Sequence, residues 1–460
     1  MNQPPPTIPT ETAPPASSTT ANPLKLSPHV YDRALACVHC GLCLPACPTY
    51  VQTGHEAESP RGRIQLIRGL SDSLIQPTAS VRDHLDNCLD CRGCETACPS
   101  GVIYHELIEN VRDRMSNAPP GSQAAAAPRG RVAKFFAMHV LIHPLRAKIA
   151  MLPARLLQKI GLYNWLRNSK LMNLLPASLR AMERMLPGSG PLWPGALPES
   201  TPPAAGSTPA NLTIGFFPGC IGSVLFADVN RQAIELLSAC GVTVRVPLKQ
   251  SCCGALHQHG GQLDVARRLA RENIDAFLPK DGPQVGLIVS QIAGCGSTLR
   301  EYTELLREDP QYAERAAEFT RRCRDISEVL VNLPIPFKYP LNTVAAYHDA
   351  CHLAHAQKIT AQPRQLLAKI PGLKLVPLPE SDLCCGAAGT YNLTHPKMAA
   401  SLANRKLDNL AATGAEICVA GNVGCALHLA AQARARGQNV QLLHPVQLLF
   451  KSVFGPADRP

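Results

Sequence analysis

The sequence predicts a helical, cysteine-dense N-terminal domain followed by an α/β domain built from two matched halves. Three observations predict it: two identical cysteine runs within residues 37–98, strand and helix patterns that alternate after residue 212, and a Cys-Cys-Gly triplet at 252–254 that recurs at 384–386. The chain has 460 residues, enough for two or three domains with cores of their own. A secreted disulfide scaffold with 19 cysteines would be much shorter, so metal or redox chemistry is favoured.

Taken in order, residues 1–28 hold eight prolines among Thr, Ala and Ser and are expected to form a disordered tail. They lack the basic start and apolar run of a secretory signal, which points to a reducing cytoplasm. Residues 29–117 carry short helical patterns around the first eight cysteines, and 118–130 read as a linker. Residues 131–186 contain ten Lys or Arg and one acid, Glu183, so they account for +9 of the net +11. Charge gathered in one segment argues against a nucleic-acid surface. The segment, with apolar residues at helical spacing from Phe135 to Leu141, is expected either to pack on its own protein or to lean on an anionic membrane or a membrane-bound partner. Pro153, Pro176 and Pro187 are expected to interrupt its helices. No run reaches the roughly 18 apolar residues of a spanning helix, so any membrane contact is peripheral, on the inner face.

A second linker is expected at 187–211. Beyond it, "LTIGFFPG", "TVRVPL" and "GLIVS" each precede a helical pattern, and "NTVAAYHDA", "LKLVPL" and "EICVAG" repeat the arrangement, as in βαβ units with parallel strands. The halves are 212–333 and 334–455. Cys220 and Cys351 are 131 apart, Cys252 and Cys384 132, and Cys295 and Cys425 130, which points to duplication.

In the first domain, Cys37-x2-Cys40-x2-Cys43-x3-Cys47-Pro48 is followed by Cys88-x2-Cys91-x2-Cys94-x3-Cys98-Pro99. This is the bacterial ferredoxin run for [4Fe–4S] cubanes, in which the fourth cysteine serves the other cluster. Cys37, Cys40, Cys43 and Cys98 are therefore assigned to one cluster, and Cys47, Cys88, Cys91 and Cys94 to the second. Paired C-x2-C units also hold zinc, but zinc has no use for the third cysteine or the trailing Cys-Pro. Between the runs, "ESPRGRIQLIRGL" reads as a helix with a proline start. Arg61 and Arg63 on it either hydrogen-bond the cluster sulfurs and nearby chain or form a solvated charge pair. The combination resembles the α-helical two-cluster ferredoxin domains of the succinate dehydrogenase and heterodisulfide reductase families.

Each later half has the order Cys…Cys-Cys-Gly…Cys: Cys220, Cys252, Cys253 and Cys295, then Cys351, Cys384, Cys385 and Cys425. The pattern resembles the cysteine-rich CCG domain of heterodisulfide reductase subunits, where it holds non-cubane clusters, and of iron–sulfur subunits of flavin-dependent dehydrogenases. The fold class is thus an α-helical two-cluster ferredoxin-like domain followed by an α/β domain of two duplicated CCG-type halves. Ile292 and Asn422 stand where the heterodisulfide reductase form has a further cysteine. Each half retains four thiols, placed at strand ends, that either bind an iron–sulfur cluster or remain a reduced or redox-active pair. Gly254 and Gly386 are expected to let backbone approach a ligand. Cys240, Cys323 and Cys418 are expected to be core or surface thiols. His348, His352 and His355 either ligate a metal or orient neighbours.

No dinucleotide fingerprint, P-loop or nucleophile elbow is present, so neither a flavin nor a nicotinamide is expected on this chain, and no catalytic residue is assigned. Across residues 30–455 the order "CVHCGLCLPACPTY", "CLDCRGCETACPSGV", "FFPGC", "SCCGALHQHGG", "AGCGSTL", "YHDACHLAH", "LCCGAAG", "GNVGCALHL" resembles the iron–sulfur subunits of glycolate dehydrogenases, also called glycolate oxidases. The resemblance implies flavin-containing partner subunits that oxidise glycolate to glyoxylate, and electrons that pass through this chain to a membrane quinone or similar acceptor. Iron–sulfur subunits for lactate or glycerol-3-phosphate oxidation are the alternatives within the class. A thiol–disulfide or heterodisulfide reductase using the CCG cysteines is the alternative outside it.

Overall fold

The computed structural model describes residues 22–119, 121–125, 135–175, 177–282 and 285–455. The N-terminal domain contains helices Pro28–Leu35, Pro48–Thr53, Pro60–Ser71, Ala79–Asp86, Gly93–Thr96 and Tyr104–Asn117. Helix Pro60–Ser71 starts as its sequence dictates: Pro60 takes the first position, where no N–H is needed, and Ser59 Oγ accepts from Gly62 N at 3.0 Å. Its buried residues Ile64, Ile67 and Leu70 meet Leu107, Ile108, Val111 and Met115 of the last helix.

Residues 1–21 lie outside the described residues, but the rest of the expected tail is packed. Leu24 and Leu26 are buried, and Asn22 Nδ2 donates to the carbonyls of Leu70 and Ser71 at 2.8 and 3.0 Å. Two leucines at alternate positions supply apolar area that the proline-rich stretch before them lacks. Ala118 and Ala124, within the expected 118–130 linker, likewise join this core. Residues 120 and 126–130 of that linker are outside the described residues.

The α/β part holds two sheets. Strands β1 (Ser200–Thr201), β2 (Thr213–Phe217), β3 (Thr243–Arg245), β4 (Leu287–Ser290) and β5 (Cys323–Asp325) run in the order β1-β3-β2-β4-β5. Strands β6 (Thr343–His348), β7 (Leu373–Val376), β8 (Ile417–Ala420) and β9 (Gln441–Leu443) run β7-β6-β8-β9. All pairs are parallel except β1 with β3. The six expected strands are β2, β3, β4, β6, β7 and β8. The 187–211 segment, expected to be only a linker, contributes β1, which caps an open edge by antiparallel pairing.

In both sheets the first strand of the half lies between the second and third, so the chain reverses direction there. A ligand site is expected outside the carboxyl ends of the strands at that switch point. One core runs through both halves, from Phe216, Leu236 and Val289 to Tyr347, Leu366, Val419 and Leu449. Each such side chain contributes about 1.5–3 kcal/mol on burial, which holds the halves together as one body.

The basic segment forms helices Pro144–Lys159, Tyr163–Asn168 and Ala177–Arg184. Pro153 was expected to interrupt the first, yet the helix runs through it. Pro153 and Ile149 are both exposed, so the carbonyl deprived of its N–H partner can turn to water. Pro176 is outside the described residues. Pro187 follows the end of the last helix. None of the helices among the described residues is long and apolar enough to cross a membrane.

Candidate iron–sulfur and thiol sites

Both cysteine runs of the first domain use the same backbone device. His39 and Gly41 have φ of 54° and 87°, and the equivalent Asp90 and Arg92 have 52° and 63°. Left-handed residues stand two and four places after the first cysteine of each run and turn the chain back on itself. Such conformations cost about 1–3 kcal/mol at a non-glycine residue. Buried contacts of Asp90 and Arg92, described below, offset that strain.

Cys47, Cys88, Cys91 and Cys94 are buried and line one recess with Arg63 and Tyr104. The set expected for the second cluster is thus brought together. Its surroundings donate to sulfur: Tyr104 Oη to Cys88 at 3.7 Å, Asp90 N to Cys88 at 3.4 Å, and Arg63 Nη1 towards Cys47 at 4.0 Å. An all-thiol set with N–H and O–H donors around it fits an iron–sulfur cluster. Of the other set, Cys37, Cys43 and Cys98 are partly buried against the domain core and Cys40 is exposed.

The two arginines divide the roles left open for them. Arg61 Nη1 donates to the His39 carbonyl at 3.0 Å and Nε to Glu56 at 2.6 Å, so it braces the chain of the first run. Arg63 is fully buried, bonded to Glu58 Oε2 at 2.5 Å and to Thr49 Oγ1 at 3.1 Å. Burial opposes its charge, but the Cys88 and Cys47 thiols, Tyr104 and Glu58 hold its pKa above the usual value.

In the α/β part, Cys220, the Cys252–Cys253 pair and Cys295 follow β2, β3 and β4, so three strand ends converge at the switch point. Cys220 Sγ and Cys252 Sγ are 3.4 Å apart, and the sulfur contacts continue from Cys252 to Cys253 and on to Cys295. The other half repeats the chain, Cys351–Cys384–Cys385–Cys425. Cys295 and Cys425 sit in the first turns of helices Ala293–Arg300 and Val423–Ala435. Hydrogen bonds from Cys220 and Cys253 pull the Cys252 thiol well below its ordinary pKa, and Cys384 and Cys425 do the same for Cys385.

Ile292 fills the space against Gly222 with its Cδ1, whereas Asn422 Nδ2 donates to Cys425 Sγ at 3.4 Å. The two positions that lack cysteine are therefore different in kind. At Gly254 and Gly386 the space left by the missing Cβ faces a helix. Both have left-handed φ, 94° and 89°, and a Cβ on them would meet Ala266 Cα at 3.4 Å and Ala399 O at 2.6 Å. They turn the chain and admit a helix behind it. Cys240, Cys323 and Cys418 are buried core thiols.

The three histidines of "HDACHLAH" do not converge. His348 lies with Cys385 and Cys425, their ligand atoms within 4.8 Å. His355 bonds Thr96 Oγ1 at 3.0 Å and the Asp382 carbonyl at 3.1 Å. His352 meets His259, with Nε2 atoms 3.2 Å apart, and its Nδ1 is 3.5 Å from Cys351 Sγ.

Domain contacts reveal residues that spacing did not single out. Cys91 of the first domain lies in hydrogen-bond contact with Cys384 of the second half. Beside it, His259 Nδ1 meets Glu109 Oε1 at 2.7 Å and Asp90 Oδ2 at 3.1 Å, and Arg92 forms a buried two-point pair with Glu301, one arm at 2.9 Å. Burial works against the His259 cation, but the Asp90 and Glu109 carboxylates push its pKa up to about 10. His352, desolvated and facing that cation, is pushed down to about 3. The one local signal was an acid and an arginine placed inside the C-x2-C-x2-C run.

The comparisons with known proteins follow the same division. The 4Fe-4S dicluster domain family matches residues 33–102, the cysteine-rich domain family residues 214–300 and again 345–430, and the linker region family of glycolate oxidase iron-sulfur subunits residues 129–186. A probable glycolate oxidase iron-sulfur subunit of Bacillus subtilis is 36% identical over 91% of this chain and 94% of its own. The glycolate oxidase iron-sulfur subunit of Escherichia coli is 33% identical over 87% and 90%. Lactate utilization protein A of Halalkalibacterium halodurans is 28% identical over 52% of this chain and 96% of its own. With the three families in chain order and similarity that spans nearly the full length, the chain belongs to the family of glycolate oxidase iron–sulfur subunits.

Proposed function

We propose that this chain is the electron-transfer subunit of a glycolate-oxidising complex, with [4Fe–4S] clusters at Cys37, Cys40, Cys43, Cys98 and at Cys47, Cys88, Cys91, Cys94. When bound, such clusters supply one-electron redox chemistry. The oxidation of glycolate to glyoxylate falls to flavin-containing partner subunits, and the electrons leave towards a quinone or similar acceptor. The two cysteine-rich halves are read as products of one duplication.

The observation that supports electron transfer within the chain is the Cys91–Cys384 contact, which joins the first domain's thiol recess directly to the second half. Glycolate is favoured over lactate by the reach of the similarity. The glycolate oxidase relatives cover 87–91% of the chain, and the segment at 129–186 matches the linker region family of glycolate oxidase iron-sulfur subunits, while the lactate relative covers 52%.

Anaerobic co-purification with the partner subunits tests the reading. Glycolate should reduce the complex, and iron analysis should give about eight irons per chain, or roughly twelve to sixteen if one or both halves also hold clusters. Activity on D-lactate alone would move the complex to another substrate, and zinc or no metal would end the electron-transfer reading. The 3.4 Å approach of Cys220 and Cys252 supports a second reading of the halves as dithiol/disulfide couples. About eight irons together with thiols that titrate reversibly would favour it.

A further inference from the structure

The eight cysteines of the two halves line a single cavity of about 350 Å³ between them, and helices of the basic segment form its roof. Beyond the sulfurs most of the wall is apolar, with Phe136, Leu141, Met151 and Met182 from the roof and Ile221 and Leu225 from the first half, and its polar groups are Glu183, His259, His352, Asn392 and Asn422. Among the described residues that line it there is no Lys or Arg. His259 reaches the wall as a cation, but Asp90 and Glu109 already hold it, so the carboxylate of a 2-hydroxy acid would be buried there without an uncommitted partner, at a cost of several kcal/mol, and the cavity does not suit the substrate of the complex. A neutral ring does suit it, and 350 Å³ lies within the usual range for small-molecule sites.

One polar group in the wall awaits a ligand. Asn392 is buried, its Nδ2 donates to Met185 Sδ at 2.9 Å, and its Oδ1 has no partner among the described residues. An O–H donor on a bound ring would satisfy it. The outside of the roof carries a matching character: Leu145, Ile149, Leu156 and Ile160 form an exposed stripe at helical spacing, Trp165 is 65% exposed nearby in sequence, and Arg146 and Lys159 are exposed on the same helix. Apolar side chains with Trp and cations among them are the composition of a face that meets anionic lipid.

We propose that this cavity is the acceptor site of the complex and takes the ring of a membrane quinone, an inference that rests on the electron-transfer reading above. Cys384 both lines the cavity and touches Cys91, so the electron-carrying motif reaches its wall. Glycolate gives up two electrons and two protons on becoming glyoxylate. Two electrons carried by this subunit, with two protons taken from water, convert the two quinone carbonyls to the hydroxyls of the quinol, and Asn392 Oδ1 accepts from one of them.

The test uses the complete complex and a short-chain ubiquinone analogue. Ala154 lines the cavity from helix Pro144–Lys159, and Ala154→Phe fills its apolar end. The KM for the quinone should rise about tenfold or more, while glycolate-driven reduction of ferricyanide stays unchanged. An azido-quinone should photolabel peptides from 136–186, 220–225, 384–393 or 422–427, all of which line the cavity, in the wild type. An unchanged quinone KM, or label confined to other peptides or to the partners, would overturn the proposal. If Ala154→Phe does not fold, the wild-type labelling decides. Failure of the wild type to pass electrons from glycolate to ferricyanide would instead sink the electron-transfer reading, with the labelling still reporting on the cavity.

Discussion

Replacing Glu301 by Leu should loosen the grip of the α/β part on the first domain. Arg92 is 3% exposed and gives both arms to Glu301, while its other carboxylate neighbour, Glu109, stands at 3.8 Å and is shared with His259. Removing one member of a buried pair costs about 3–5 kcal/mol because the survivor stays desolvated. The lower end applies here, since Glu109 keeps part of the guanidinium's field, although Gln258 Nε2 also loses its 2.9 Å bond to Glu301. At a urea slope of about 3 kcal/mol/M, a loss of about 3 kcal/mol lowers the midpoint by roughly 1 M. Arg92→Met, Glu301→Leu and the double variant complete a cycle, read by anaerobic urea titration. The double variant should be less destabilised than the sum of the singles by about 2 kcal/mol. Singles that add to within about 0.5 kcal/mol would refute the claim that this pair joins the domains.

Three further outcomes are expected. Cys94→Ser and Cys43→Ser should each remove about four irons per chain by iron analysis, while glycolate still bleaches the flavin of the partner subunits. Stability should fall on both sides of neutrality. His259, raised to about 10, contributes fully below its unfolded pKa of about 6.5 and loses that contribution as pH rises through 10, whereas His352, lowered to about 3, contributes above about 6.5 and less as pH falls towards 3. Urea midpoints of wild type and His259→Gln across pH 7–10 check the first limb, and a variant as steep as the wild type would contradict it. Gly437→Ala, at φ 65° with open space around its Cβ, should cost about 1–2 kcal/mol, and Gly386→Ala, which would drive a Cβ to 2.6 Å from Ala399 O, about 3 kcal/mol or more in thermal unfolding.

What sequence spacing conveyed well was local. The two cysteine runs, helix Pro60–Ser71 with its Ser59 cap, and the six strands before the cysteine-bearing loops all depend on residues a few positions apart. The recurrence at intervals of 130–132 residues also anticipated the common strand order. Contacts across 150 residues or more were not legible. Nothing local in "SCCGALHQHGG" marks His259 as the partner of Glu109, or Gln258 as a bridge to it, because those bonds arise only when the domains meet. The basic segment was read as helical, yet its inner face was invisible as a roof, since that role depends on a cavity whose other walls come from residues 220–427. Gly254 and Gly386 show a related limit: a glycine looks the same in a sequence whether the space it opens faces a ligand or, as the Cβ side does here, a helix.

If Cys47, Cys88, Cys91 and Cys94 hold a cluster as proposed, their burial bears on the order of events during biogenesis. The contact of Cys91 with Cys384 covers one thiol of that set with the second half. On the proposed cluster assignment, loading before closure meets these thiols uncovered, and the direction of synthesis allows it: the first 117 residues leave the ribosome well before β6 and β7 exist to cover them. On that assignment, a chain released before loading would close on bare thiols, so an iron-starved cell would accumulate full-length protein in which Cys91 stays covered until the domain contact reopens.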